Sequence, residues 1–120
     1  NVIINTLPDT PSTTDLLNAT FFACFEGALF MNVGRGASVD QQAVLDALEK
    51  GSLSQAVLDV FDEEPLPESS PLWSHPRVLI TPHVSGVSTL KDVTTSFEVA
   101  YKHLGTTHQH PQFVDFKRGY

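Results

Sequence analysis

Four short apolar runs punctuate this chain, Val2–Asn5, Ala28–Val33, Ala56–Val60 and Val78–Thr81, and the stretches between them are too long for hairpins. Within each run the apolar residues are nearly continuous where a half-exposed strand would alternate, which is the pattern of strands buried in a parallel sheet. Parallel neighbours need crossover connections, usually helical, and the intervening sequence supplies them. Asn18 is placed to cap a short helix running to Phe25 and ended by Gly27. Asp40 is placed to cap a second, in which Val44, Leu45 and Leu48 share a face and Gly51 follows Lys50 as the terminator. Strands alternating with helices give an α/β fold whose parallel sheet is expected to be covered on both faces.

The remaining sequence divides by its breakers. From Pro65 to Pro76 the prolines Pro65, Pro67, Pro71 and Pro76 remove backbone donors and restrict their neighbours, predicting a loop without regular structure. Ser88 is read as the cap of a last helix with an apolar face of Leu90, Val93, Phe97, Ala100 and Leu104, and the tail after Gly105 shows no periodicity. The domain reading is 1–86 as a sheet-forming unit, 87–104 as a helix and 105–120 as a surface tail. The chain opens inside a strand with no initiating methionine, as a fragment would.

Composition narrows the partners. Of 120 residues 41% are hydrophobic and 18% charged, which suits a globular domain and not a disordered tail. A formal charge of -7 argues against nucleic acid or an anionic membrane surface as a partner. No segment has the apolar length of a membrane span or the layout of a signal peptide. Cys24 is the single cysteine, so no internal disulfide can form; within Phe21-Phe22-Ala23-Cys24-Phe25 it reads as a buried hydrophobe, and a reducing cytoplasm is the expected compartment.

In open parallel sheets, ligands sit beyond the carboxyl ends of the strands, where the loops converge. Those ends carry Leu7-Pro8 after the first strand, Val33-Gly34-Arg35-Gly36 after the second, Asp59 with Glu63 and Glu64 after the third, and His83 after the fourth. Glycines beside Arg35 permit close backbone approach, and its guanidinium can grip a carboxylate bidentately. His83 can exchange a proton near neutral pH, and Glu64 is the candidate carboxylate to orient its ring. Singly, each has a plainer reading: a surface arginine, a solvated acidic loop, a loop histidine. The joint pattern carries the catalytic one. Trp73 is read either as packing against the last helix or as closing the substrate pocket or a subunit contact.

The segments Leu7-Pro8-Asp9-Thr10-Pro11-Ser12-Thr13, Asn32-Val33-Gly34-Arg35-Gly36 with Val39-Asp40, Leu58-Asp59-Val60-Phe61 with Glu64-Pro65-Leu66-Pro67, and Thr81-Pro82-His83 together resemble the D-isomer-specific 2-hydroxyacid dehydrogenases. The resemblance runs from the first residue to about Gly86. It implies the carboxy-terminal half of a Rossmann-like doubly wound parallel sheet, with a terminal helix returning to a substrate domain. It further implies reduction of a small 2-oxoacid, glyoxylate or hydroxypyruvate, with NADP or NAD as cofactor and a homodimeric intact protein. Under it Arg35 anchors the substrate, His83 is the general acid and Glu64 assists it. Asp59 would accept a hydrogen bond from the nicotinamide carboxamide, while Leu7, Pro8, Val33, Gly34, Arg35, His83 and Gly86 would border the cofactor.

The sequence departs from that family's pattern upstream: no Gly-x-Gly-x-x-Gly phosphate loop occurs in it, and the ribose-reading residue and the amino-terminal portion of the substrate domain that the resemblance implies are missing too. The alternative, which the resemblance also allows because some members of the family use the fold for partner recognition, is a non-catalytic binding or assembly role. No metal site is expected: His108 and His110 in the tail are spaced for one side of a strand but lack the supporting groups that metal ligands need.

Overall fold

The computed structural model describes residues 1–103. It divides into two compact units, Asn1–Ser85 and the segment from Gly86 onward. In the first, strands β1 (Val2–Asn5), β2 (Ala28–Asn32), β3 (Leu53–Leu58) and β4 (Val78–Ile80) form one sheet in the order β1-β2-β3-β4, every pair parallel. Helices α1 (Ala19–Phe22) and α2 (Gln41–Lys50) are the crossovers of the first two connections.

The register explains the core. Ile3, Phe30, Ala56 and Val78 are laterally aligned, as are Asn5, Asn32, Leu58 and Ile80, and this face is mostly buried. The alternate ladder, Ile4, Met31, Val57 and Leu79, lies on the other face, where Ile4 and Leu79 are more than half exposed. The expectation of cover on both faces is thus met on one face only among the described residues. Sequential right-handed crossovers put their helices on the same side of the sheet, and α1 and α2 do pack against each other.

α2 forms as its sequence requires. Asp40 accepts from the Ala43 amide at 3.1 Å, and Gly51 closes the helix in the left-handed region at φ 81°. Val44 and Leu48 are wholly buried, each contributing about 2 kcal/mol through removal of apolar surface from water.

Elsewhere the boundaries move. The third strand begins at Leu53, earlier than the apolar run suggested, because Leu53 and Gln55 pair with Ala28 and Leu29 of β2 across a register shift at the exposed Ser54. α1 ends at Phe22, where turns from Cys24 to Phe21 and from Phe25 to Phe22 tighten the chain. That turn directs Cys24 outward: it is exposed, not a core residue.

The proline-rich stretch is not wholly irregular. Pro71–Ser74 forms a short 3-10 turn with Pro71 in its first turn and Ser70 as its cap, and this turn buries Leu72. In the second unit α3 (Leu90–Lys102) is capped by Thr89, not Ser88, because Thr89 and Asp92 satisfy each other's amides in a capping box. Its Leu90, Val93 and Phe97 are exposed, and Phe97 stacks on Tyr101. Leu104, His108 and His110 lie outside the described residues.

Candidate active site

Two buried asparagines organise the carboxyl edge of the sheet. Asn5 ends β1 and Asn32 ends β2, and their side chains meet: Asn5 Nδ2 donates to Asn32 Oδ1 at 2.9 Å and to Ser38 Oγ at 2.8 Å. Asn5 Oδ1 then accepts from the Leu7 amide at 3.1 Å, and Asn32 Oδ1 from the Gly34 amide at 3.2 Å. Ser38 donates onward to the Arg35 carbonyl at 2.7 Å. One polar network therefore ties the Leu7-Pro8 loop to the Arg35 loop. The sequence reading passed over Asn5, Asn32 and Ser38; the available signal was an asparagine closing each of two otherwise apolar strands.

Glycine contacts lock the same loops together. A Cβ on Gly34 would stand 2.8 Å from the Leu7 carbonyl oxygen, and one on Gly36 would overlap the Phe61 carbonyl. Only glycine lets the Arg35 loop sit between its neighbours so closely. Arg35 itself is exposed and uses Nη1 to bond the Gly34 carbonyl at 2.8 Å, leaving the rest of its five-donor fork without a hydrogen bond among the described residues.

Beyond β3 the chain turns at Phe61, whose amide donates to Glu64 Oε1 at 2.9 Å; a cis peptide joins Glu64 to Pro65. The second oxygen, Glu64 Oε2, lies 2.9 Å from His83 Nδ1. With a carboxylate as partner, Nδ1 carries the donated proton and Nε2 is left to face a ligand. The His83 hydrogen bond, then the Phe61 amide, hold the Glu64 carboxyl below its usual range against the opposing effect of burial.

Arg35, Glu64 and His83 border one cavity of about 220 Å³, together with Asp9, Gly36 and Phe61. A second, more apolar cavity of about 530 Å³ lies on the same rim, bounded by Phe61, Glu64, His83, Leu66, Trp73 and Pro82. Trp73 is half exposed and donates Nε1–H to the Pro67 carbonyl at 3.0 Å, which fixes its indole along that wall. Leu7 and Val33 are half-buried, Pro8 is exposed, and Gly34 is buried between the first two loops. Gly86 is exposed with open space around it.

Asp59 is buried, and its carboxylate is bonded within the chain by Thr81, Val84 and Ser85. Among the described residues no three histidine, cysteine, aspartate or glutamate side chains cluster as metal ligands, and no helix is long and apolar enough to cross a membrane.

A parallel sheet whose carboxyl edge gathers a glycine-flanked arginine and a histidine–carboxylate pair is the arrangement of a nicotinamide-dependent dehydrogenase domain. Residues 1–85 match the family described as D-isomer specific 2-hydroxyacid dehydrogenase, NAD binding domain, and the chain belongs to that family. Its sheet is accordingly part of the parallel, doubly wound sheet of an NAD(P)-binding Rossmann domain, followed by a carboxy-terminal helix.

Among curated proteins, glyoxylate/hydroxypyruvate reductase A of Serratia proteamaculans is 48% identical over 88 residues, covering 72% of this chain and 28% of that protein. The protein of the same name from Klebsiella pneumoniae is 40% identical over 120 residues, covering 99% of this chain and 38% of the relative. The chain thus spans well under half the length of these relatives. Among solved structures, a D-isomer specific 2-hydroxyacid dehydrogenase from Xanthobacter autotrophicus Py2, in complex with NADPH and MES, superposes with a TM-score of 0.90 at 38% identity, covering 99% of this chain and 50% of that one. An NADPH-dependent glyoxylate/hydroxypyruvate reductase from Sinorhizobium meliloti, in complex with NADP and sulfate, gives 0.82 at 34% identity, covering 99% of this chain and 40% of that one.

Proposed function

We propose that this sequence supplies the proton-donating and substrate-anchoring groups of an enzyme that reduces a small 2-oxoacid, glyoxylate or hydroxypyruvate, to its D-2-hydroxyacid. The observation that carries the reading is the meeting of Arg35, Glu64 and His83 at one small cavity from three separate connections. Relatives named as glyoxylate/hydroxypyruvate reductases support the substrate class.

The residues present fit the nicotinamide end of the cofactor: the Gly34 backbone packs directly against that of Leu7, and the loop it opens carries Arg35 to the cavity that His83 also borders. When bound, reduced nicotinamide supplies a hydride to the substrate carbonyl carbon. Negative charge then builds on the carbonyl oxygen. Arg35 binds the carboxylate and that oxygen, and His83 delivers a proton from Nε2 while Glu64 holds the ring at Nδ1. Such a general-acid contribution is worth on the order of 10²–10⁴ in rate.

The 120 residues contain no phosphate-binding glycine loop, so by themselves they are expected to show no turnover. Homodimerisation of the intact protein belongs to the same proposal. The test is NADPH oxidation by the full-length protein bearing this sequence, with glyoxylate or hydroxypyruvate as substrate and the chirality of the glycerate product determined. Saturable oxidation yielding D-glycerate supports the reading, and inertness toward 2-oxoacids contradicts it.

A further inference from the structure

Arg35 is exposed, so the place from which its guanidinium reaches is set by how its backbone is held. On the carboxyl side the hold is a short 3-10 turn, Gly36–Ser38, for which Arg35 is the amino-terminal cap residue without a side-chain cap bond. The backbone alone closes this turn poorly: the Ser38 amide lies 3.4 Å from the Arg35 carbonyl oxygen, beyond the ordinary range of about 2.7–3.2 Å. The Ser38 hydroxyl makes the short bond, donating to the same carbonyl at 2.7 Å.

Ser38 is itself a fixed point. It is buried, its carbonyl accepts from the Leu17 amide at 3.0 Å, and its Oγ accepts from Asn5 Nδ2 at 2.8 Å. With Asn5 donating into Oγ, the hydroxyl proton is turned toward the Arg35 carbonyl, and successive bonds in such a chain strengthen one another. The amino side of Arg35 leads back to the same asparagine. The Gly34 amide donates to Asn32 Oδ1 at 3.2 Å, and that oxygen also accepts from Asn5 Nδ2 at 2.9 Å. A side-chain amide has two N–H donors, and Asn5 spends both on the two arms of this bracket around Arg35.

We infer that Ser38 is a positioning residue for substrate binding: its buried hydroxyl, oriented by Asn5, fixes the backbone from which Arg35 reaches the 2-oxoacid. This rests on the reading of Arg35 as substrate anchor. Ser38 does not line the cavity that Arg35 shares with Glu64 and His83, so its effect on the substrate passes through Arg35. The Leu7 amide is held by Asn5 Oδ1, an atom that Ser38 does not use, so the Leu7-Pro8 loop keeps that bond when the hydroxyl is removed.

The experiment uses the full-length protein bearing this sequence in three forms, Ser38→Ala, Arg35→Ala and the two combined. It measures KM and kcat for glyoxylate, and NADPH affinity by fluorescence titration. Ser38→Ala should raise KM about tenfold, with kcat and NADPH affinity within about threefold of the parent. Arg35→Ala should raise KM about a hundredfold, and adding Ser38→Ala to it should raise KM no further, because a residue that acts through another is not additive with it. If Ser38→Ala fails to fold, Ser38→Cys, whose thiol is a weaker donor, takes its place in both backgrounds under the same criteria.

A parental KM in Ser38→Ala would overturn the proposal, whatever happens to kcat. Additive losses, with KM in the combined variant about tenfold above that of Arg35→Ala, would overturn it as well, since Ser38 would then act apart from Arg35. A parental KM in Arg35→Ala would overturn the anchoring reading itself, and the positioning role with it.

Discussion

Gly36 rests directly on Phe61, so close that a Cβ at position 36 would overlap the Phe61 carbonyl carbon and oxygen and crowd the Asp62 amide. This contact fixes the distance between the loop that carries Arg35 and the loop that carries Glu64. Gly36→Ala must push those loops apart, and both are backbone, so neither can yield by changing a rotamer. The expected outcome is a loss of about 2–3 kcal/mol of stability by urea unfolding. Turnover should fall with it, because misplacement of a reacting group by about 1 Å can cost about a hundredfold.

Asn5 joins three partners, the Asn32 and Ser38 side chains and the Leu7 amide, and it is buried. Asn5→Leu keeps the volume but leaves those partners short of bonds, with the Leu7 amide losing its acceptor outright. The expected destabilisation is about 3 kcal/mol, since each unsatisfied buried group costs about 1–3 kcal/mol. Chemical denaturation of the parent and variant checks it.

Arg35 should discriminate between charge and geometry. Because only Nη1 is engaged among the described residues, the rest of the guanidinium can pair with a carboxylate in fork geometry. Arg35→Lys retains the charge without the fork, and KM for glyoxylate should rise about tenfold; Arg35→Ala should raise it about a hundredfold. Steady-state kinetics on the full-length protein would show Arg35→Lys unchanged from the parent, and only Arg35→Ala impaired, if charge alone mattered.

The Glu64 carboxyl is depressed chiefly by its bond to His83. A carboxyl with a lowered folded-state pKa adds stability that is present above the unfolded value, about 4.3, and disappears as the pH falls through the folded one. Glu64 is more than a third exposed, so solvent screens much of that contribution. The stability difference between the parent and Glu64→Gln should therefore be modest at pH 7 and shrink toward zero as the pH falls below the carboxylate range. Urea midpoints measured across that window test the sign.

What the sequence made legible follows from how each feature is encoded. α2 was readable end to end, because Asp40, the Val44–Leu48 face and Gly51 are local signals. The succession of strands and helices along the chain was readable for the same reason, whereas the true start of β3 was not: Leu53 and Gln55 pair with β2 on either side of a register shift that their side chains do not advertise. Cys24 was misjudged because apolar neighbours do not reveal which way a tightening turn points a side chain. The meeting of Arg35, Glu64 and His83 was expected from their strand ends and from family resemblance. The bonds that hold them, from Asn5 to Ser38 and from Asp59 to Ser85, span 33 and 26 residues, and no local pattern marks them.

The general-acid role of His83 is tested most directly by the kinetics of His83→Asn in the full-length protein. Its kcat/KM for glyoxylate should fall by about 10²–10⁴ while the dissociation constant for NADPH stays within about threefold of the parent. A variant that reduces glyoxylate at the parental rate would contradict the assignment of proton transfer to this histidine.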